Sequence, residues 1–138
     1  MGVRVRVEIK YGGNSIKTSA LVNSGYEVGE PEIHIPLALA RKLGFKLEGL
    51  SSECYKVVGA EVNALIIGFV DVRVITEDKL SNWIRAKAVS VPGEYEVLLS
   101  DALTEALEIE VIKPKKGLWR FSGEDKYRES VESKSWIE

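Results

Sequence analysis

Val3, Val5, Val7 and Ile9 alternate with Arg4, Arg6, Glu8 and Lys10. A period of two with one apolar set predicts a strand buried on one face. Tyr11-Gly12-Gly13-Asn14-Ser15 has turn chemistry, because Gly and Asn tolerate positive φ, and Ile16 to Val22 returns as the partner strand of a hairpin. Glu27 to Glu32 is polar, contains Gly29 and Pro31, and reads as a loop. Pro36 suits a helix start and Gly44 the stop after Leu43. Leu37, Leu39, Ala40 and Leu43 supply that helix's buried face.

Tyr55 and Val57, then Val62, Ala64 and Ile66, alternate around Gly59-Ala60-Glu61 and predict a second hairpin. Phe69 to Thr76 and Trp83 to Val91 read as two further strands around the polar turn Glu77 to Asn82. Pro92-Gly93 ends the second of them, and Tyr95 to Leu99 is a short apolar strand. Asp101 is the expected cap of a helix through Leu107. Ile109, Val111 and Ile112 form a strand ending at Pro114, and Leu118 to Phe121 a last one. The chain is then mostly β, with about seven short strands and two short helices, a spacing that suggests a small barrel or sandwich. The domain is placed at 1–121. Residues 122–138 read as a polar C-terminal tail, polar enough to be partly disordered, in which Trp136 is exposed unless it docks on something.

Composition narrows the class without naming a chemistry. The 138 residues are 45% apolar and 29% charged, which fits one soluble globular domain. A net charge of −2 gives no general drive toward nucleic acid or anionic membranes. The longest apolar run, Ala64 to Val70, includes Gly68 and is too short to span a bilayer. The N-terminus alternates charge and valine and lacks the apolar core of a secretion signal. The one cysteine, Cys54, excludes an intrachain disulfide and fits a reducing cytoplasm.

The candidate chemistry lies in Ala20-Leu21-Val22-Asn23-Ser24-Gly25-Tyr26, where a β-branched strand runs into Asn-Ser-Gly, followed by the proline-started helix. Three further stretches keep the same order: Ile35-Pro36-Leu37 through Leu43-Gly44-Phe45, Val97-Leu98-Leu99-Ser100-Asp101, and Leu107 to Val111 followed by Lys115 to Trp119. Together, across roughly residues 3–121, they resemble the retropepsin-like aspartic peptidases of short, single-domain prokaryotic type. The resemblance implies a mostly β, closed acid-protease barrel with two short helices, acting as a homodimer on an extended peptide. It places Asn23, Ser24 and Gly25 at the catalytic tripeptide and Tyr26, Val58, Gly59 and Ala60 on the substrate, with Gly59 at the flap tip. No cofactor and no metal are implied, nor any nucleic acid or membrane partner.

Three positions depart from the family pattern. Asn23 stands where the aspartate belongs, Ser100 where the glycine of an apolar-apolar-Gly element belongs, and Glu108 where a helix-ending glycine is common. The first reaches the chemistry. Two aspartates, one per subunit, share a proton because close like charges cannot both ionise, and the ionised one activates water. An asparagine amide is neutral and offers a carbonyl acceptor and an NH2 donor. It can hold water or a peptide group but cannot be the base, a loss of about 10²–10⁴-fold even for one general base. Ser24 has two readings: a hydroxyl locking the paired loops across the dimer axis, or a turn serine bonded to its own backbone. Gly25 supplies backbone freedom and close approach between loops.

Other chemistry is poorer. His34 and Cys54 are a conceivable thiol–imidazole pair, but nothing near Cys54 suggests a lowered pKa. Glu27, Glu30 and Glu32 read as a solvated acidic loop rather than as carboxylates of the site. Trp83 and Trp119, on strands, are expected in the core. Three functions stay open: an aspartic endopeptidase in which Asn23 was introduced to inactivate it, a natural pseudoprotease that binds peptide or protein, and a purely structural dimeric module.

Overall fold

The computed structural model describes residues 2–57 and 60–137, with 53–57 and 60–62 described by their backbone. Strands β1 (Val3–Tyr11) and β2 (Asn14–Val22) form the first hairpin, in a register from Val3↔Val22 to Tyr11↔Asn14. The expected five-residue turn is therefore only Gly12-Gly13, and Gly12 at φ 57° takes the left-handed conformation this tight connection needs. β3 (Glu32–His34) leads into helix α1 (Leu37–Leu43), which ends on Gly44 at φ 97°. β4 (Ser52–Val57) and β5 (Ala60–Val74) form the second hairpin, and β6 (Ile84–Ser90) returns along β5. β7 (Val97–Leu99) precedes α2 (Asp101–Ala106), and β8 (Ile109–Lys113), β9 (Leu118–Phe121) and β10 (Arg128–Glu129) make a separate small sheet.

The large sheet runs β1-β2-β7-β3-β6-β5-β4 and closes on itself by β1–β5 pairing, Val7↔Val74 to Lys10↔Asp71. The result is a closed six-stranded barrel, with β4 added to the outside of β5. A mostly β closed barrel with two short helices is thus observed. Its core is the alternating set of the first strand, Val3, Val5, Val7 and Ile9, packed with Val70, Val72 and Val74 of β5 and Ala86 and Ala88 of β6. Leu39 and Leu43 of α1 and Leu103 of α2 join the same core. Each fully buried aliphatic side chain contributes about 1.5–3 kcal/mol relative to an exposed one.

Several expectations are corrected. The two strands read on either side of Gly68 are one, because β5 passes through a register shift between Ile66 and Gly68 instead of ending. Gly68 is at φ 151°, and a Cβ there would stand 3.0 Å from Cε1 of Phe45, so the bulge makes room for that ring. Phe45 in turn stacks on Tyr11 at 3.7 Å. Glu32 to His34, read as the loop's end and its sequel, is a central strand whose residues are buried on both faces. Trp83 is not core: it is 39% exposed, with the Arg73 guanidinium 4.3 Å from its ring centre. Trp119 is buried as expected.

The polar tail is ordered onto the barrel. Arg128 ion-pairs with Asp78 and Glu124, β10 pairs with β9, and Ser130 Oγ accepts from Arg4 N–H and donates to the Gly117 carbonyl. Lys134 N–H then donates to Ser19 Oγ, and Trp136, only 8% exposed, donates its indole N–H to Thr18 Oγ1 at 2.9 Å. A single large aromatic ring and a handful of backbone bonds outweigh the polarity that made this segment read as disordered.

Candidate functional site

The barrel places β7 between β2 and β3, parallel to the first and antiparallel to the second. The chain that joins β2 to β3, Asn23 to Pro31, must therefore arch over the C-terminal end of β7, just where α2 begins. This crossing is what positions the candidate residues. The Asn23 N–H donates to the Leu99 carbonyl at 3.4 Å and carries the β2–β7 pairing one step beyond the strands.

Asn23 then turns the chain. The Tyr26 N–H donates to the Asn23 carbonyl at 3.0 Å, closing a four-residue turn, and the Gly25 N–H donates to Asn23 Oδ1 at 3.4 Å. Asn at the first position of such a turn reproduces a backbone turn with its own side chain. Asn23 is half-buried, while Ser24 and Gly25 are exposed at the crest. Gly25 does not adopt a left-handed φ, and a Cβ on it would meet only Asn23 Oδ1, at 3.8 Å. Neither backbone freedom nor crowding inside this chain accounts for a glycine there, which corrects half of the expectation for Gly25 and leaves close approach from outside the chain.

The base of the loop is tied to two neighbours. Asp101 N–H donates to the Tyr26 carbonyl at 2.9 Å, and the Tyr26 hydroxyl donates to Glu32 Oε2 at 2.6 Å. Glu32 is only 4% exposed, so it is not part of a solvated acidic loop; Glu27 and Glu30 are exposed, as expected. Glu32 is fixed further by Ser100: the Ser100 N–H donates to its carbonyl and its own N–H donates to Ser100 Oγ. The same Ser100 Oγ accepts from Leu103 N–H and caps α2. The cap is thus Ser100, not Asp101, which sits in the helix's first turn. Where a glycine was expected at position 100, this chain uses a hydroxyl to bind helix, strand and loop together.

Of the residues read for the site, Asn23, Ser24, Gly25 and Tyr26 share this one loop. Ala60 opens β5 on the β4–β5 hairpin, while Val58 and Gly59 lie outside the described residues. His34 and Cys54 belong to β3 and β4, with β6 and β5 between them in the sheet order. His34 is buried, and its Nδ1–H donates to the Glu96 carbonyl at 2.9 Å; burial holds its pKa below 6.5, opposed by that carbonyl, by the charge of Glu94 and by the Val91 carbonyl. Among the described residues no group of three or more His, Cys, Asp or Glu is arranged to hold a metal ion, and no helix is long and apolar enough to cross a membrane. Glu32 and Ser100 are the members of the site that sequence reasoning did not assign to it. The alternation Ile33, Ile35 was the available signal for Glu32, since it makes that residue the first of a strand rather than the last of a loop. Compared with protein-family models, curated proteins and solved structures, the chain returns no match.

Proposed function

We propose that this chain is a retropepsin-like domain that works as a symmetric homodimer, and that it binds an extended peptide or protein segment without hydrolysing it. The observation that carries the reading is the Asn23–Gly25 crest. It presents a neutral amide at the end of a barrel strand, on a loop held from below by Leu99, Asp101 and Glu32. A glycine at that crest, unexplained by its own chain, fits the close approach of the same loop from a second copy. The Asn23 amide can donate to a peptide carbonyl or hold a water, but it cannot take a proton from that water. The β4–β5 hairpin supports an extended ligand, because β4 ends the sheet order and a peptide can add to such an edge.

The test compares the chain with its Asn23→Asp variant on a peptide library from acidic to neutral pH, with a statine-type inhibitor as control. The expected result is no cleavage by the chain as it stands and acid-favoured, inhibitor-sensitive cleavage by the variant, because one carboxyl of the pair must hold a proton. Cleavage by the Asn23 form itself would sink the reading. A silent Asn23→Asp variant that still dimerises, together with no peptide binding by either form, would leave a structural module.

A further inference from the structure

The loop that carries Asn23 also brings an electrophile and a nucleophile together within one peptide unit. The hydrogen bond from Gly25 N–H to Asn23 Oδ1 turns the Asn23 side chain toward the backbone of its own loop and draws electron density from Cγ toward Oδ1. The Asn23 carbonyl is engaged by Tyr26 N–H, whereas no acceptor among the described residues takes the Ser24 N–H. Ser24 and Gly25 are small and exposed, so water and base reach this peptide. From this arrangement we propose that Asn23 is a self-modifying residue: its side chain condenses with the Ser24 backbone nitrogen, loses ammonia, and leaves a carboxylate at the crest of the candidate site.

The steps balance with water as the one co-reactant. Ser24 N loses its proton to solvent and attacks Asn23 Cγ. The Cγ–Nδ2 bond breaks, Nδ2 departs as ammonia, and a five-membered succinimide remains. Water then adds to one of the two ring carbonyls. If the Ser24 N–Cγ bond opens, the ordinary backbone is restored with an aspartate at position 23. If the bond to the Asn23 backbone carbonyl opens instead, the chain continues through the side chain as an isoaspartyl link with a free α-carboxylate. The aspartate product keeps an oxygen where Oδ1 stood, so the bond from Gly25 N–H and the turn survive.

The chain contains its own control. Asn14 is also followed by serine, and the four asparagines, with no glutamine, are the side-chain amides of the sequence. Asn14 lies in β2, paired with Tyr11, its Nδ2 donates to the Leu43 carbonyl at 3.0 Å, and Ser15 is held opposite Lys10. The same dipeptide is therefore locked in one place and poised in the other. The modification stands on the loop geometry alone; its consequence, a cleft that gains the missing carboxylate with time, rests on the reading of the site given above.

The experiment incubates the full folded chain at neutral to mildly alkaline pH and follows all four asparagine-containing peptides by mass spectrometry, separating aspartyl from isoaspartyl products. Asn23 is expected to convert about tenfold faster than Asn14, which must first give up a hydrogen bond and a ladder position. In urea the two Asn-Ser pairs should convert at similar rates. Ser24→Gly should accelerate the conversion, and Ser24→Val should suppress it by crowding the attacking nitrogen. An Asn14 that keeps pace with Asn23 in the folded chain overturns the proposal, as does a preference for Asn23 that persists undiminished in urea. Aged protein that has gained an aspartate at position 23 but cuts no peptide would overturn the expectation that a carboxylate there completes a hydrolytic pair, and leave the modification standing.

Discussion

Ser100 and Glu32 are bound to each other twice, the Ser100 N–H on the Glu32 carbonyl at 3.1 Å and the Glu32 N–H on Ser100 Oγ at 3.0 Å. Both residues are buried, and they join the start of α2 to the start of β3 at the foot of the Asn23 loop.

Ser100→Ala should therefore cost more than an ordinary cap. Losing an N-cap costs about 0.5–2 kcal/mol, and the buried Glu32 N–H left unpaired adds about 1–3 kcal/mol. A total near 2–3 kcal/mol is expected in chemical denaturation, with amide exchange of Tyr26 and Leu103 rising more than that of Val5 or Val72. A loss within experimental error would mean that water replaces the hydroxyl and that Ser100 does not organise the site.

Gly25→Ala separates a property of the single chain from one of an assembly. Its Cβ would meet only Asn23 Oδ1 at 3.8 Å, with no left-handed φ to strain. Monomer stability should stay within about 0.5 kcal/mol of the parent or rise slightly. If two such loops meet across a dimer axis, sedimentation should show weaker association in the variant. Unchanged association would remove this crest from the interface.

Trp136→Ala tests the tail. The ring is almost fully buried, its indole N–H is bonded to Thr18 Oγ1, and the Lys134 and Lys42 ammonium groups lie 4.2 and 5.3 Å from its ring centre. A loss of about 3 kcal/mol is expected, the low end for a large buried aromatic. Proteolysis should then cut first after residue 129. A variant as stable as the parent would show that the tail rests on its backbone bonds alone.

Acid should destabilise the fold through His34. Burial holds its folded pKa below 6.5, so as pH falls the unfolded chain takes up the proton first. Its contribution is full above the unfolded pKa and is lost as pH falls from there toward the folded pKa. Thermal unfolding followed from neutral pH to about pH 5 should show a falling midpoint. His34→Asn, which keeps a donor for the Glu96 carbonyl without titrating, should lower stability at neutral pH and flatten that acid limb. An equal slope in both proteins would assign the acid limb to other groups. The same slope bears on Asn23→Asp, whose expected activity lies in the pH range where the scaffold weakens.

The first hairpin, both helices and the turn at Gly12 were legible from the chain because each rests on local physics. Alternation picks the buried face of Val3 to Ile9, and proline and glycine bracket Leu37 to Leu43. β3 was not read as a strand. Glu32-Ile33-His34-Ile35 does alternate, but the run is short and follows Pro31, and its polar members are buried between β7 and β6 instead of facing solvent. The stretch around Gly68 misled in the opposite direction, since the two strands read on either side of it are one, with a bulge there that lets the strand pass the ring of Phe45.

The sequence by itself determined the barrel's alternating core, the helix ends and the identity of the groups at the crest, because these depend on side-chain chemistry and near neighbours. Only the tertiary structure decided what holds that crest. The threading of β7 between β2 and β3 carries Leu99, Ser100 and Asp101 to a loop some seventy-five residues earlier in the chain. Closure of β5 on β1 turns an open sheet into a barrel. Contacts between residues so far apart in sequence leave no periodic trace, because their geometry comes from how the elements pack and not from any one of them.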